Sequence, residues 1–159
     1  MANELTLSRR ALLFGAAAFA LPRPADAAEA LPKMVVTRDP NCGCCGNWVK
    51  HVQAAGFPVE VAEVADVAPL KLKLGVPDAL ASCHTAEIGG YVLEGHVPAQ
   101  AIKRLLAERP KVIGLAVAGM PVGSPGMEVP GQAPDIYDVV VFSAGRQNVF
   151  ARYRGSQPI

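Results

Sequence analysis

Three cysteines fall within four residues in Asn41-Cys42-Gly43-Cys44-Cys45, and a fourth stands in Ser82-Cys83-His84. Cys42 and Cys45 have C-x-x-C spacing, with Cys44 between them. At the start of a helix, backbone N–H groups and the macrodipole favour thiolate, which is both the reactive and the metal-binding form. A Cys44–Cys45 bridge between neighbours would be strained, since a disulfide wants its Cα atoms about 5.5 Å apart in a set orientation. Three thiols cannot all pair among themselves. The plain reading is one structural disulfide, Cys42–Cys45, with Cys44 and Cys83 linked or idle. A soft-metal site is preferred to it, because crowded thiols at a helix start are poor staples and good soft ligands.

Two histidines and two methionines could join the thiols. His84 follows Cys83 directly, and His96 lies in Glu94-Gly95-His96-Val97-Pro98, just before a predicted helix. Each alone would more often be a surface histidine or a neighbour of a helix cap. Met120 and Met127 sit in a Gly/Pro-rich stretch, Gly119–Glu128, with few apolar anchors. Methionine usually fills gaps in a core. Its thioether is also a ligand for Cu(I) and a poor one for Zn²⁺, Mg²⁺ or Ca²⁺. Beside four cysteines, the ligand reading is preferred. His51 is some two turns beyond Cys44, about 10 Å along the axis at 1.5 Å per residue. It reads as a packing or surface histidine.

The elements that must carry these groups can be read from periodicity. Met34–Arg38 is β-prone and ends at the turn signal Asp39-Pro40. Cys45, Trp48, Val49 and Val52 recur at helical spacing, and Gly56 closes that segment. Val59–Val64 alternates as a strand, Val67–Leu74 reads as a short helix, and Thr85–Glu94, with Gly89-Gly90 inside, as a strand or hairpin. Pro98–Glu108 predicts a helix with Ile102, Leu105 and Leu106 on its apolar face and Pro110 as its stop. Residues 110–134 hold ten Gly or Pro in 25 positions and are expected to form a loop. Ile136–Ser143 and Val149–Arg154 read as a C-terminal β-hairpin. A small α/β domain with cysteines at its first strand–helix junction suggests a thioredoxin-like fold. In that fold the loop entering the strand at Thr85 lies against the cysteine-bearing helix start. Cys83 and His84 are then expected to approach Cys42–Cys45.

Composition sets the outer limits. The 159 residues are 51% hydrophobic and 18% charged, with a mean hydropathy of +0.26. Part of the apolar character lies in residues 1–27, which combine Arg9-Arg10, the apolar run Ala11–Leu21 and the small-residue site Ala25-Asp26-Ala27. That is the layout of a cleaved signal peptide. Its Ser8-Arg9-Arg10-Ala11-Leu12-Leu13-Phe14 stretch is similar to a twin-arginine export signal, with an ordinary secretion signal as the alternative. Residues 28–159 are expected to form a single exported domain with no membrane span. They carry 12 basic and 12 acidic residues, and charge balance without a basic run argues against nucleic-acid binding. A domain of this size buries roughly two-thirds of its unfolded surface and needs no staple. Outside the cytoplasm, clustered thiols need a protecting partner, and a soft metal is one.

Three separated segments resemble a known family in order: Asp39–Phe57 (DPNCGCCGNWVKHVQAAGF), Ser82–Pro98 (SCHTAEIGGYVLEGHVP) and Gly114–Glu128 (GLAVAGMPVGSPGME). The family is the CopG-like periplasmic copper-resistance proteins, formerly a domain of unknown function, and the likeness runs from about Met34 to Gly155. The resemblance implies a thioredoxin-like domain that binds copper through Cys42, Cys44, Cys45 and Cys83, with several ions per chain in a sulfur-bridged cluster. His84, His96, Met120 and Met127 match the family's motifs as accessory ligands. The expectation is thus a periplasmic protein of copper homeostasis or resistance. It would hold Cu(I) and cycle it with Cu(II), or keep it for a copper chaperone or exporter. Copper binding ranks first and copper-coupled redox turnover next. Thiol–disulfide exchange through Cys42 and Cys45 follows, and a structural zinc site comes last.

Overall fold

The middle strands carry apolar residues on both faces, so the sheet they build needs a cover on both sides. The computed structural model describes residues 30–159, so the expected signal peptide, residues 1–27, lies outside the described residues. The described residues form a mixed α/β domain with one eight-stranded sheet and three helices. In chain order these are β1 (Met34–Arg38), α1 (Gly43–Ala54), β2 (Val59–Glu63), α2 (Ala68–Lys73), β3 (His84–Ile88), β4 (Tyr91–Glu94), α3 (Ala99–Glu108), β5 (Gly114–Ala116), β6 (Ile136–Ser143), β7 (Arg146–Arg154) and β8 (Gln157–Pro158). A single 3₁₀ turn, Asp78–Leu80, precedes β3.

Strands lie in the order β2-β1-β3-β4-β5-β6-β7-β8. Two pairs are parallel, β1 with β2 across α1 and β4 with β5 across α3; the remaining neighbours are antiparallel. Both crossover helices pack into one core. Trp48, Val49 and Val52 of α1 and Ala99, Ala101, Ile102 and Leu105 of α3 meet Met34, Val36, Ala86, Ile88, Leu93, Leu115 and Val139 from the sheet. The opposite face is closed by a second cluster, in which Val76 and Leu80 meet Val92, Ala116 and Phe142. The alternation Val92/Leu93 and Leu115/Ala116 sends one residue of each pair to each core.

One expectation is corrected. The stretch 110–134 is not loop throughout, because Gly114–Ala116 forms a buried strand between β4 and β6. Three residues are too few to show a period, and the surrounding glycines and prolines hide them. Helix ends also carry information. Arg109 closes α3 in the left-handed conformation (φ 47°), ahead of Pro110. Pro98 stands at the α3 N-cap, where no side chain of its own turn offers an acceptor. That acceptor comes from α1, as Ala99 N–H donates to His51 Nε2 at 3.1 Å.

Candidate metal centre

The first half of the site is one turn of chain. Asn41 N–H donates to Asp39 Oδ1 (2.7 Å) and Cys42 N–H to Asp39 O (3.1 Å), folding residues 39–42 into the turn that starts α1. Arg38 holds this turn from below. Its Nη1 donates to Cys42 O at 3.1 Å while Nη2 pairs with Glu63 at 2.6 Å. Cys42 and Cys45 are joined as a disulfide, the pairing that spacing alone ranks second to metal binding. Cys44 and Cys83 are free. Cys44 Sγ lies 3.4 Å from Cys42 Sγ and 3.8 Å from Cys83 Sγ, and the four sulfurs all lie within 4.8 Å of one another. For all four to bind metal, the disulfide must first be reduced to two thiols.

The second half is assembled from two strands. The β3–β4 register sets Thr85 opposite Glu94, so Cys83-His84 and His96 emerge from the same end of the hairpin. Gly95 N–H donates to His84 O at 3.0 Å. Gly95 (φ 70°) cannot be replaced freely, since a Cβ there would lie 2.6 Å from Ser82 and from Val117 O. Cys83 Sγ is 3.3 Å from His84 Nδ1 and 3.2 Å from His96 Nε2, and both histidines are fully buried. Trp48 fixes the His84 ring, with centroids 4.4 Å apart, and its own Nε1–H donates to Val97 O at 2.9 Å.

Hydrogen bonding sets the His96 tautomer. Its Nδ1 is 2.8 Å from Pro125 O, a carbonyl that can only accept, so Nδ1 carries the proton and Nε2 aims a lone pair at Cys83 Sγ. His84 has no such solution. Its Nε2 is buried without a partner. A proton there is an orphan donor, and Nδ1 then competes with His96 Nε2 for the one thiol proton of Cys83. A proton on Nδ1 leaves an orphan lone pair at Nε2 instead. Either way the metal-free trio leaves a buried polar atom unpaired, which costs free energy. A cation accepted by sulfur and both imidazoles removes the competition at Nδ1, so the donor set fits a soft or borderline metal.

Charge follows burial. Burial, with Cys44 nearby, pushes the Cys83 thiol up to about 12. Burial, reinforced by His96, Lys71 and Arg38, pushes His84 down to about 3, and burial also lowers His96. Neutral imidazoles are ready ligands; the thiol must give up its proton to become one.

The structure brings together six of the eight expected ligands: Cys42, Cys44, Cys45, Cys83, His84 and His96. Of the methionine loop, it is the backbone that touches the site. Ser82 Oγ donates to Gly119 O, Pro125 O holds His96, and Gly126 (φ 88°) packs so tightly on α1 that a Cβ would lie 2.6 Å from Trp48 N. The Met120 side chain is 53% exposed, and Met127 is half-buried. His51 is in neither group of converging ligands, and its Nε2 accepts from Ala99 N–H instead. Sequence reading passed over Arg38, Lys71 and Glu94. The signal for Glu94 was available: it is a lone acid in the apolar run Tyr91-Val92-Leu93-Glu94, where a charge must find a partner.

A βαβ-built sheet with cysteine sulfurs at a helix start and imidazoles at the facing hairpin end defines a protein with a soft-metal-binding centre. The family model described as "Protein of unknown function, DUF411" matches residues 80–127, which span Cys83, His84, His96 and the methionine loop. Two solved structures, copper resistance protein copG in form 1 and in form 2, each match at 48% identity with a TM-score of 0.73. The matches cover 79% and 77% of this chain and 99% and 98% of theirs. Among curated proteins nothing matches this chain. The chain belongs to the CopG family of copper resistance proteins. Among the described residues, no helix is long and apolar enough to cross a membrane.

Proposed function

We propose that this chain is a periplasmic copper-binding protein of copper homeostasis or resistance, exported by its N-terminal signal and built on a single thioredoxin-like domain, residues 28–159. The observation that carries the reading is the convergence of Cys83 Sγ, His84 Nδ1 and His96 Nε2, 3.2–3.3 Å apart through the sulfur and continuous with three further cysteine sulfurs. Thiolates select Cu(I), and imidazoles also accept Cu(II). A mixed set of this kind holds several Cu(I) ions, supports cycling between the two states, and keeps copper for a chaperone or exporter. His96, with a methionine from the 120–127 loop, would complete or cover the site.

A second reading rests on one specific feature, the Cys42–Cys45 disulfide at a helix start. It makes the protein a thiol–disulfide exchanger, with Cys42 or Cys45 attacking a substrate disulfide after reduction. One experiment separates the two. The reduced protein is titrated anaerobically with Cu(I) and with Zn(II) against a competing chelator, and metal content is measured. Several coppers retained per chain support copper binding. One zinc, or no metal together with turnover of a disulfide substrate, overturns it.

A further inference from the structure

Glu94 is fully buried, and the copper-binding reading gives it no task. Its carboxylate takes three donors. Oε1 accepts from the Lys71 ammonium and from Ser82 N–H (2.6 Å), and Oε2 accepts from Thr85 Oγ1 (2.7 Å). Lys71 Nζ also donates to Thr85 Oγ1 at 2.9 Å. With its oxygens so engaged, Glu94 is not a metal ligand.

What it holds is more telling. Ser82 and Thr85 are the residues on either side of Cys83-His84, and Glu94 is itself two residues before His96. One side chain therefore spans the ligating dipeptide on β3 and stands at the root of the third donor beyond β4. The lysine comes from α2, a helix with no buried residue. A buried ion pair is weak evidence for stability, because desolving both charges offsets their attraction. Its geometric effect is another matter, since ligating atoms must be held to within about 0.5 Å by the groups around them.

We propose that Glu94, neutralised by Lys71, is a positioning residue: it holds Ser82 by its backbone N–H and Thr85 by its side-chain hydroxyl, on either side of Cys83-His84, so that Cys83 Sγ, His84 Nδ1 and His96 Nε2 converge before metal arrives. This rests on the reading of that trio as a copper site. It assigns α2 a role as the carrier of the counter-charge, which explains an exposed helix that reaches inward through one ammonium.

Two double variants test the clamp without leaving a lone buried charge. Glu94→Gln with Lys71→Met keeps an oxygen acceptor for Ser82 N–H; Glu94→Ala with Lys71→Met removes it. Cu(I) affinity of the reduced protein is measured by anaerobic competition with a chromophoric chelator, and exchange of the Ser82 amide is followed in the metal-free protein. The Gln/Met pair is expected to stay within about threefold of the unsubstituted protein. The Ala/Met pair is expected to lose roughly 10–100-fold, as loss of an outer-shell partner typically does, with faster Ser82 exchange. Equal affinity in all three proteins, or equal loss in both pairs, overturns the clamp. If the Ala/Met pair does not fold, the unsubstituted metal-free protein decides: a protected Ser82 amide supports the clamp, and exchange at the rate of an open peptide overturns it. If the unsubstituted protein binds no Cu(I), the copper reading fails, and the same amide measurement still judges the clamp.

Discussion

The two halves of the site meet the same requirement in opposite ways. Cys42, Cys44 and Cys45 come from one turn of chain, with Cys42 and Cys44 partly open to solvent. Cys83, His84 and His96 come from two strands, and their histidines are sealed from water. Without metal, the first half can satisfy itself by closing the Cys42–Cys45 disulfide. The second has no covalent alternative, and His84 Nε2 stays unpaired whether or not Nδ1 holds a metal. Contiguous thiols thus have a redox alternative to metal, while assembled imidazoles have none. Cys83 is common to both halves.

The hardest test of this contrast is to remove the shared atom. Cys83→Ser withdraws a donor from both groups at once and is expected to cost the most, by more than the roughly 10–100-fold that loss of an outer-shell partner causes. Cys44→Ser withdraws a donor from the sulfur half alone and should cost markedly less. Copper content and chelator competition on the reduced proteins measure both. Equal losses would break the division into halves with one joint.

The halves also differ in how protons compete with copper. Cys83 is pushed up to about 12, so its thiol is protonated at neutral pH and must release a proton on binding. His84 is pushed down to about 3 and His96 is lowered too, so neither imidazole has a proton to lose at the ligating lone pair near pH 7. Apparent Cu(I) affinity should rise about tenfold per pH unit for each thiol proton displaced between pH 6 and 8. His96→Ala should weaken binding without altering that slope. A changed slope would show that the nitrogen half carries a titrating proton.

Acid acts on the fold through the nitrogen half. In the unfolded chain both histidines titrate near their ordinary value, about 6.5. In the folded protein they stay neutral to lower pH, so below about 6.5 the unfolded state binds more protons and stability falls with pH. For His84 the effect is absent above that range and accumulates down to about 3, at ~1.4 kcal/mol per pH unit. Urea denaturation of the metal-free protein at pH 7, 5 and 4 measures it, and His84→Gln should flatten the trend. Bound copper should oppose it as well, since a metal that binds only the folded state stabilises it.

The contiguous half was the legible one. Cysteine spacing, the helical recurrence of Cys45, Trp48, Val49 and Val52, and the start of the next helix can all be read along a line of residues, and all four are buried where the period puts them. The approach of Cys83 to Cys44 followed once a fold was assumed, because β3 lies antiparallel beside β1 and sets His84 opposite Arg38, next to the cysteine-bearing turn. What escaped was whatever depends on a partner distant in sequence. Strand β5 has three residues and is a strand only because β4 and β6 flank it. The His96 tautomer depends on a carbonyl 29 residues away, and Glu94 on a lysine 23 residues back. No local pattern encodes these pairings. The choice between disulfide and metal at Cys42 and Cys45 is likewise invisible in spacing, which suits both.

The smallest expected effect belongs to the histidine outside both halves. His51 lies on α1 below the cysteines, and its Nε2 accepts from Ala99 N–H, the first amide of α3. Helix starts leave several N–H groups without partners, and Pro98 offers no side-chain acceptor. His51 therefore caps α3 from a neighbouring helix. Burial lowers its pKa, against a smaller opposing pull from Glu128, which keeps Nε2 available as an acceptor at neutral pH. His51→Ala should cost about 1 kcal/mol in urea denaturation at pH 7, the usual loss of an N-cap acceptor. Cu(I) affinity should stay unchanged, because Ala99 lies beyond His96 and the Pro125 contact that orients it is untouched. A loss of affinity in this variant would mean that the α1–α3 contact helps to aim His96, and that the two halves are joined through the helices as well as through Cys83.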